Sequence, residues 1–328
     1  MNALITGGAG FIGSHLAEEL LKKGHRLYII DDLSTGSEQN ILHLKNDPNL
    51  IFVKDSVTND IIMRKLVDTC DVIYHLAAAV GVIYIMENPL RSIETNIRGT
   101  EVVLELASKD RKKVLIASSS EVYGKNTSAV YTENADSIFG SSKTIRWNYA
   151  VSKMLDEFLS FAYHREKGVP TVIVRFFNIC GPRQSERYGM VIPRFVKQAL
   201  LGHPITIYGD GKQTRSFTHV NDAVRGIIAL METPDAEGDI FNVGNPDGIS
   251  IEDLAKRIKT MTSSSSEIVY IPYEQAYGEG FEDMRFRVPD VTKIHNTVGY
   301  IPELKLDDML RMVIEHTKEG MQQEVSSL

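Results

Sequence analysis

The chain has 328 residues, of which 43% are hydrophobic and 24% charged, which is enough for a large core in one large or two modest domains. The formal net charge of −7 excludes a general basic surface for nucleic acid, so local arginines must meet any anionic ligand. Cys70 and Cys180 have no CxxC partner and the nine histidines show no HExxH spacing, so we predict neither a disulfide framework nor a metal site.

Short apolar runs alternate in the first half of the chain with stretches whose apolar residues recur at helical spacing. The strands are predicted at 2–6, 26–31, 50–54, 72–77, 113–118 and 170–176. The helices between them are predicted at 12–23, 59–68, 88–108 and 146–167. This alternation is typical of right-handed βαβ units, so we predict an α/β fold with a doubly wound parallel sheet of the Rossmann type.

The pattern changes after about residue 178, where prolines and glycines become frequent, as in GPRQ, LGHP and YGDGKQ. We predict a smaller C-terminal lobe there, together with a return strand near 240–243 and a helix at 250–261. The predicted Rossmann domain comprises 1–177 and about 216–245, and the predicted smaller lobe comprises 178–215 and about 246–328.

A glycine-rich loop follows the first predicted strand and opens the first helix. Its sequence, TGGAGFIG at 6–13, satisfies G-x-G-x-x-G with Gly7, Gly10 and Gly13, and the helix N-terminus adds a field that favours a pyrophosphate. The second strand ends about 20 residues later at Asp31, whose carboxylate can accept hydrogen bonds from the adenosine ribose hydroxyls. Asp31 and Asp32 together would repel a 2′-phosphate, so the pattern favours NAD over NADP. The alternative interpretation is a glycine turn with surface aspartates.

A tyrosine and a lysine share one face of the helix that begins near residue 146. Tyr149 and Lys153 are four residues apart, and they lie one βα unit after the stretch ASSSEVYG at 117–124. A free tyrosine has a pKa of about 10, and a nearby ammonium and an oxidised nicotinamide would both lower that pKa. A lone YxxxK occurs often by chance. In a doubly wound sheet, however, both stretches lie at the carboxyl ends of strands, where ligands bind.

Together these motifs resemble the extended short-chain dehydrogenases/reductases, in particular their nucleotide-sugar epimerases, dehydratases and decarboxylases. The resemblance covers nearly the whole chain, and its motifs are TGGAGFIG, Asp31, HLAAA at 75–79, Asn96, the Ser-Ser-x-x-VYG block and YxxxK. It implies a catalytic triad of Ser119, Tyr149 and Lys153, in which Tyr149 takes a proton from a sugar hydroxyl while hydride passes to NAD, and Lys153 also holds the nicotinamide ribose.

The resemblance extends the predicted cofactor and substrate sites. The further predicted cofactor contacts are Phe11, Ile12, Asp55, Ser56, Leu76, Ala77, Ala78 and Asn96. Asp55 is positioned to meet adenine, with a plain turn residue as the alternative. The second lobe is expected to bind a nucleoside diphosphate through Asn178 and Arg215. Arg194 is expected either to contact the same diphosphate or to be a surface charge. We expect His219, after a strand, to be structural.

The glutamate of ASSSEVYG distinguishes the reactions within this family, which share oxidation at C4′ of the sugar. An epimerase needs no further acid or base, whereas a 4,6-dehydratase needs a base at C5′ and an acid at C6′. A decarboxylase acts on a uronic acid, whose carboxylate is β to the C4′ ketone. Galactose-type epimerases typically lack an acid at the position of Glu121, and Ser120 stands where dTDP-glucose dehydratases carry the C6′ acid. Ser120 therefore argues against the dTDP-glucose dehydratases, and among the predicted site residues it is a substrate contact.

Two further stretches resemble UDP-glucuronate decarboxylases. RWNYAVSK at 146–153 is similar to the decarboxylase half of the bifunctional polymyxin-resistance enzyme, and YGEGFEDMRFRVPD at 277–290 is similar to its late segment and to the R-x-P-D element of UDP-xylose synthases. The resemblance implies that Arg287 acts on the carboxylate or as proton donor and that Arg146 contacts substrate. Phe281 departs from the tyrosine of that enzyme. A structural carboxylate at Glu121 and a diphosphate clamp at Arg287 remain the alternatives.

We therefore predict an NAD-dependent UDP-glucuronate decarboxylase, in which Glu121 and Arg287 face each other across the C5′ edge of the sugar. The alternatives are a UDP-sugar 4-epimerase, a 4,6-dehydratase and, from a different class, a nucleotide-sensing protein without catalysis. The predicted helices 88–108 and 146–167 carry apolar residues that predict a homodimer. No signal peptide opens the chain and no apolar run reaches the roughly 18 residues of a membrane span. We expect a cytoplasmic protein without nucleic-acid or membrane partners.

Overall fold

The computed structural model describes residues 1–185, 190–278 and 281–326. The strands in chain order are β1 (Asn2–Thr6), β2 (Arg26–Ile30), β3 (Leu50–Val53), β4 (Val72–His75), β5 (Lys113–Ser119), β6 (Thr171–Phe176), β7 (Ile179–Cys180), β8 (Ile205–Tyr208), β9 (Thr214–Ser216), β10 (Thr218–His219), β11 (Asp239–Val243), β12 (Gly248–Ser250), β13 (Ile268–Ile271) and β14 (Phe286–Arg287).

The α-helices in chain order are α1 (Phe11–Lys22), α2 (Asp60–Thr69), α3 (Val82–Glu87), α4 (Pro89–Ala107), α5 (Trp147–Lys167), α6 (Val191–Leu200), α7 (Val220–Glu232), α8 (Ile251–Met261), α9 (Tyr273–Tyr277), α10 (Thr292–Val298) and α11 (Leu306–Ser326). Short 3₁₀ helices lie at Glu38–Leu44, Ser120–Tyr123 and Pro234–Ala236. None of the helices in the described part of the chain is long and apolar enough to cross a membrane.

A parallel sheet forms the centre of the molecule. Among the described residues it has seven strands, in the order β11-β6-β5-β4-β1-β2-β3. The strand order reverses between β1 and β4, so their carboxyl ends, Thr6 and His75, border the crevice where ligands bind in such folds. The predicted doubly wound Rossmann fold is therefore confirmed, and β11 provides the predicted return strand.

The two faces of this sheet are covered by different helices, which explains the continuous apolar runs of its strands. Successive residues of β1 point to opposite faces: Ile5 belongs to the core beneath α1 and α7, and Leu4 belongs to the core beneath α2 and α4. Both side chains are fully buried. The sheet is thereby held rigid, and its carboxyl edge is a firm base for a site.

The later part of the chain builds small sheets beside this edge. β8 pairs with β13, and β9 lies between β12 and β14. Their core includes Phe195 of α6, Leu254 of α8 and Leu310 of α11, all fully buried. Because β14 pairs with β9, Arg287 is placed opposite Arg215. The division into two lobes at the residues given above stays a prediction.

Candidate active site

A cavity of about 580 Å³ lies at the carboxyl edge of the large sheet and continues between this edge and the small sheets. It is lined by nearly all of the predicted site residues: Gly7, Gly10, Phe11, Ile12, Gly13, Asp31, Asp32, Asp55, Ser56, Leu76, Ala77, Ala78, Ser119, Glu121, Arg146, Tyr149, Lys153, Asn178, Arg194, Arg215 and Arg287. Two predicted residues, Asn96 and Ser120, are fully buried and are not part of the lining.

The glycine loop fits a dinucleotide because its backbone approaches neighbouring backbone closely. Gly7 has a φ of +72°, and a Cβ there would lie 2.8 Å from the backbone nitrogen of Ala77. A Cβ on Gly13 would lie 2.3 Å from the carbonyl oxygen of Gly7. Glycine is thus required for the tight turn and for the close packing of α1. The open N-terminus of α1 then faces the cavity, as a pyrophosphate requires.

Asp31 lies at the end of β2 and lines the cavity. Its carboxylate accepts hydrogen bonds from the backbone N–H of Ala9 at 3.0 Å and of Leu33 at 2.9 Å. A Cβ on Gly36 would come within 2.9 Å of both carboxylate oxygens, so this glycine leaves room beside Asp31. Burial raises the pKa of Asp31, although the backbone N–H groups act against this rise. The carboxylate of Asp31 is therefore suited to accept hydrogen bonds from ribose hydroxyls.

The neighbouring acids have partners that the sequence did not indicate. Asp32 forms an ion pair with Arg91 of α4 at 3.5 Å. Asp55 accepts from the backbone N–H of Ser56 at 2.7 Å and from the amide of Asn59 at 3.1 and 3.2 Å. Both acids still line the cavity. The assignment of Asp55 to adenine stays a prediction.

Asn96 lies behind the residues that line the cavity, and its assignment as a cofactor contact stays a prediction. Its side-chain oxygen accepts from the backbone N–H of Ala79 at 2.8 Å, and its amide nitrogen donates to the hydroxyl of Ser152 at 3.2 Å. The side chain is therefore occupied in tying the segment after β4 to α5. The motif was recognised from sequence, but the direction of the side chain depends on packing.

Helix α5 is held against the sheet by a buried ion pair. Glu157 accepts from both Nε and Nη2 of Arg175 at 2.9 and 2.7 Å, and from the hydroxyl of Ser118 at 2.5 Å. The helix ends at Gly168, whose φ of +68° is the left-handed conformation usual at a helix C-terminus. The contacts of Glu157 hold the middle of α5 against the ends of β5 and β6, and the first turn of the same helix places Tyr149 beside Ser119.

Tyr149 is protonated in this environment. Burial raises its pKa and the charge of Glu121 raises it further, whereas a hydrogen bond with Ser119 and the charge of Arg287 lower it. The ammonium of Lys153 is paired with the buried carboxylate of Asp156 at 3.0 Å. The structure thus brings Ser119, Tyr149 and Lys153 to one cavity and adds a partner for Lys153 that was not foreseen.

Glu121 lies in the 3₁₀ turn that follows β5, a turn capped by the Ser119 hydroxyl, which accepts from the Glu121 N–H at 3.2 Å. Its carboxylate accepts from Nη1 of Arg146 and from Nη1 of Arg287, each at 2.7 Å. Burial alone would raise the pKa of Glu121, but the two guanidinium charges outweigh burial and hold the pKa below its usual value. Glu121 and Arg287 therefore form a direct ion pair, and their arrangement across the C5′ edge of a sugar stays a prediction.

Ser120 binds the guanidinium group of Arg287. Its hydroxyl accepts from Nη2 of Arg287 at 2.7 Å and from Nε at 3.2 Å. Ser120 therefore orients a guanidinium and is not among the residues that line the cavity, and its assignment as a substrate contact stays a prediction. Burial lowers the pKa of Arg287 and the charge of Glu121 raises it, with a net lowering that still leaves an always-charged guanidinium.

Asp283 is the site residue that sequence reasoning missed. Its carboxylate accepts from Nη2 of Arg146 at 3.0 Å, from Nη2 of Arg215 at 2.9 Å and from the hydroxyl of Tyr273 at 2.9 Å. Burial acts to raise its pKa, but Arg215 and Arg146 outweigh burial and lower it to about 2. No local spacing could indicate this role, since Arg146 and Arg215 lie 137 and 68 residues away in the chain.

The remaining predicted residues border the far end of the cavity. Asn178 has a φ of +39° and donates to the carbonyl of Ser216 at 2.8 Å. Arg194 is not a free surface charge, because its guanidinium lies 4.0 Å over the ring of Tyr208 and donates to the carbonyl of Thr206 at 2.8 Å.

Phe281 stacks on Tyr277 with ring centroids 4.2 Å apart, and the guanidinium of Arg146 lies 5.2 Å from its ring. The phenylalanine that departs from the expected tyrosine therefore forms part of the cavity wall. His219 caps α7, because its Nδ1 accepts from the backbone N–H of Asn221 at 3.1 Å. This contact gives His219 the structural role that was expected.

A family model described as GDP-mannose 4,6 dehydratase matches residues 4–313. The chain belongs to this family. The predicted membership of the extended short-chain dehydrogenase/reductase group is therefore confirmed, and with it an NAD-dependent enzyme on a Rossmann fold.

Three members illustrate where the chain stands within the family. It is 44% identical over 317 residues to UDP-N-acetyl-alpha-D-glucosaminuronate decarboxylase of Bacillus cytotoxicus, covering 96% of this chain and 97% of the relative. It is 36% identical over 316 residues to UDP-glucuronic acid decarboxylase 1 of Arabidopsis thaliana, covering 95% of this chain and 69% of the relative. The crystal structure of UDP-glucuronic acid 4-epimerase from Bacillus cereus with UDP-glucuronic acid and NAD has a TM-score of 0.87 at 32% identity, covering 97% and 99% of the two chains.

Proposed function

We propose that the chain is an NAD-dependent decarboxylase of a UDP-hexuronate, with UDP-glucuronate as the first candidate substrate. The observation that carries the proposal is the cluster of Glu121 with Arg146 and Arg287 beside Tyr149, because it offers two guanidinium groups to a carboxylate at the point where a sugar would be oxidised. Relatives that match over nearly the whole chain are uronate decarboxylases.

The first step would be oxidation at C4′. When NAD is bound, its oxidised nicotinamide accepts the hydride from C4′ and adds a positive charge to the site. Tyr149 takes the proton of the C4′ hydroxyl, with the Ser119 hydroxyl in hydrogen-bond contact with the phenol. The raised pKa of Tyr149 means that the phenolate forms only with additional positive charge nearby. The same raised pKa makes the phenolate, once formed, a strong acceptor for the proton of the substrate.

The second step would release CO₂. The C4′ ketone is β to the C6′ carboxylate, so the C5′–C6′ bond breaks, its electron pair passes into the C4′ carbonyl and an enolate remains. Protonation at C5′ then gives the 4-keto pentose. This step consumes one proton for each CO₂ released, which balances the proton that Tyr149 takes from the C4′ hydroxyl in the first step, and it needs no oxidant beyond the NAD of that step.

Arg287 and Arg146 have the donors to hold the substrate carboxylate. A guanidinium carries five N–H donors. Described partners take three of those of Arg287, two on Ser120 and one on Glu121. They also take three of those of Arg146, one each on Glu282, Glu121 and Asp283. Two donors on each group are left for a carboxylate, which arginine can bind with two parallel hydrogen bonds.

Glu121 would then act through its charge. Its pKa is lowered, so it is ionised and is not the proton donor of the second step. A substrate carboxylate bound to Arg287 shares the same guanidinium with this anion and is repelled by it in a buried site. Loss of the substrate carboxylate as neutral CO₂ removes this repulsion, which is the physical reason that the cluster favours decarboxylation.

The diphosphate would bind on the side of the small sheets. Arg215 and Arg194 line that part of the cavity together with Asn178. The Nε of Arg194 is buried without a hydrogen-bond partner among the described residues, so this N–H group is available to donate to a bound anion. A uridine nucleotide is the proposed carrier, as in the relatives named above.

A 4-epimerase is the second candidate, because the chain superimposes on a UDP-glucuronic acid 4-epimerase over nearly its whole length. That reaction would use the same oxidation and return the hydride to the opposite face of C4′, with the carboxylate retained. A 4,6-dehydratase is less consistent with the cluster, because the position of its C6′ acid holds Ser120, which is bound to Arg287.

The experiment that separates these functions is incubation with NAD and, in parallel, UDP-glucuronate, UDP-N-acetylglucosaminuronate, UDP-glucose and UDP-N-acetylglucosamine. Mass spectrometry distinguishes loss of CO₂, loss of water and no mass change. We expect loss of CO₂ from at least one of the two uronates and from neither neutral sugar. Epimers at unchanged mass would establish the second candidate, and no turnover of any sugar would support a nucleotide-sensing protein.

Two variants test the cluster itself. Glu121→Gln and Arg287→Ala are expected to lower CO₂ release by well over tenfold in at least one case, with UDP still bound, while NADH formation is followed separately. Arg285→Ala is the matched control, because Arg285 is exposed and pairs with Asp210 at 3.0 Å. If both cluster variants release CO₂ at the rate of this control, the assignment of the cluster is wrong.

We also propose a cytoplasmic homodimer that forms through α4 and α5. Val151, Leu155 and Phe158 recur at helical spacing on α5 and are 48%, 40% and 60% exposed. Leu90 and Ile93 of α4 are exposed as well, at 67% and 37%. Such apolar faces on two helices that pack together favour burial against a second copy.

A further inference from the structure

Lys153 has a buried counter-ion that the proposed chemistry does not use. Its Nζ lies 3.0 Å from Oδ2 of Asp156, and the two residues are 2% and 0% exposed. Tyr149, Lys153 and Asp156 follow one another at intervals of four and three residues, so they lie along one face of α5. A full carboxylate charge is therefore buried one helical turn beyond the ammonium that accompanies the catalytic tyrosine.

The surroundings of Asp156 offer it little else. Its Oδ1 has no hydrogen-bond partner among the described residues. His75 of β4 is bound to the Thr100 hydroxyl of α4 at 3.2 Å, and burial followed by the charge of Lys153 lowers its pKa to about 3, so His75 is neutral. Glu157, the next residue, is neutralised by Arg175. The ammonium of Lys153 is thus the cation that pairs with Asp156.

The charge of Asp156 reaches Tyr149. Burial raises the pKa of Asp156, while the charge of Lys153 lowers it. The anion in turn raises the pKa of Tyr149, adding to the effects of burial and of Glu121. The positive field of Lys153 at the phenol is reduced by the same pairing, because the two opposite charges are only 3.0 Å apart.

We propose that Asp156 is a positioning residue that fixes the Lys153 ammonium within α5 and sets the pH at which Tyr149 loses its proton. The inference rests on the proposed role of Tyr149 as the base of the oxidation step. Asp156 contacts neither substrate nor cofactor in this role. It acts through Lys153, by restraining the ammonium and by cancelling part of its charge.

The change Asp156→Asn should move the titration of Tyr149 toward lower pH. Asparagine keeps an acceptor for the ammonium and removes only the charge. Seven residues of helix separate positions 149 and 156 by about 10 Å, at which an effective dielectric constant of about 20 gives a shift of about one pH unit. Asp156→Ser is a second charge-removing variant, smaller than the native residue and therefore free of steric conflict in this closed site.

Two measurements test the inference. The first is the ¹³C NMR titration of Tyr149 in protein labelled at the tyrosine Cζ and bound to NAD, with the signal assigned by Tyr149→Phe. The second is the pH profile of single-turnover NADH formation with UDP-glucuronate. Both midpoints should move by about one unit toward acid in the Asp156 variants. Asp308→Asn, which removes the same charge from the exposed i,i+3 pair with Arg311, should leave both unchanged.

The outcomes are separable. An NMR midpoint that is unchanged or moves to higher pH in a folded Asp156 variant overturns the inference, because a merely structural counter-ion would alter thermal stability alone. If wild type forms no NADH from any UDP-sugar, the proposed function fails. The NMR titration still decides the role of Asp156 in that case.

Discussion

Removal of the Asp283 charge tests whether the arginine cluster is assembled by charge balance. Arg146, Arg215 and Arg287 carry three positive charges against the two negative charges of Glu121 and Asp283. The change Asp283→Asn raises the net charge of this buried group from +1 to +2. It also leaves Arg215 without its anion, and we expect weaker binding of the UDP-sugar, seen as a higher KM.

The stability change can be estimated from the pKa. A pKa of about 2 in place of 3.8 corresponds to about 2.4 kcal/mol of unfolding free energy at neutral pH, because one pKa unit is about 1.36 kcal/mol. The side chain is 17% exposed, so solvent screening reduces this value only modestly. The midpoint of thermal unfolding should fall by about 3.5 °C, because the entropy of unfolding grows with chain length.

The pH dependence has a defined sign. The folded-state pKa is depressed, so the stabilisation is fully present above the ordinary value and is lost as the pH falls toward about 2. The difference between wild type and Asp283→Asn should therefore be constant above about pH 5 and narrow below about pH 4. Urea denaturation at a series of pH values measures this difference.

Asp210→Asn is the matched control for Asp283→Asn. Asp210 pairs with Arg285 at 3.0 Å, but the two side chains are 55% and 48% exposed, so the loss should be below about 1 kcal/mol. If Asp283→Asn is no less stable than this control, or if its deficit is as large at pH 3 as at pH 7, charge balance does not hold the cluster together.

Three further predictions concern the cofactor, the base and the assembly. Tyr149→Phe should bind NAD and UDP-sugar normally but form NADH about 10² to 10⁴ times more slowly in stopped-flow absorbance, and a rate within a few-fold of wild type would remove Tyr149 from its role. Asp31→Ala should weaken NAD binding and relax discrimination against NADP in calorimetric titrations, because it removes an acceptor and a repelling charge together; an unchanged Kd ratio contradicts this. Phe158→Glu should yield a monomer by light scattering at micromolar concentration, whereas Arg165→Glu, farther along the same helix, should remain dimeric; a monomeric wild type refutes the proposed interface.

The sequence by itself determined the architecture of the large sheet and the location of the cofactor loop. Its strands are buried on both faces, so their apolar runs stand out from the helical spacing between them, and the predicted β1–β6 agree with the structure to within two residues at each end. The glycine loop and the Tyr149–Lys153 pair could also be recognised from the sequence, because turn geometry and helical periodicity are local properties. Among the described elements, α6 and α7 were not predicted. Five of the ten residues of α6 and nine of the thirteen residues of α7 are buried, so both helices carry an apolar face that was overlooked in the sequence spacing, and α3, α9, α10 and α11 were not predicted either.

Only the tertiary structure decided which side chains meet at the cluster and where each one points. Glu121 and Arg287 are 166 residues apart, and their direct ion pair depends on β14 pairing with β9, which no local pattern encodes. Asn96 and Ser120 were recognised from their motifs, yet packing turned both away from the cavity to hold other residues. Asp156 stands three residues after Lys153, a spacing usual on solvated helix faces. Its complete burial distinguishes this pair from a solvated one, and this burial underlies the proposed effect of Asp156 on Tyr149.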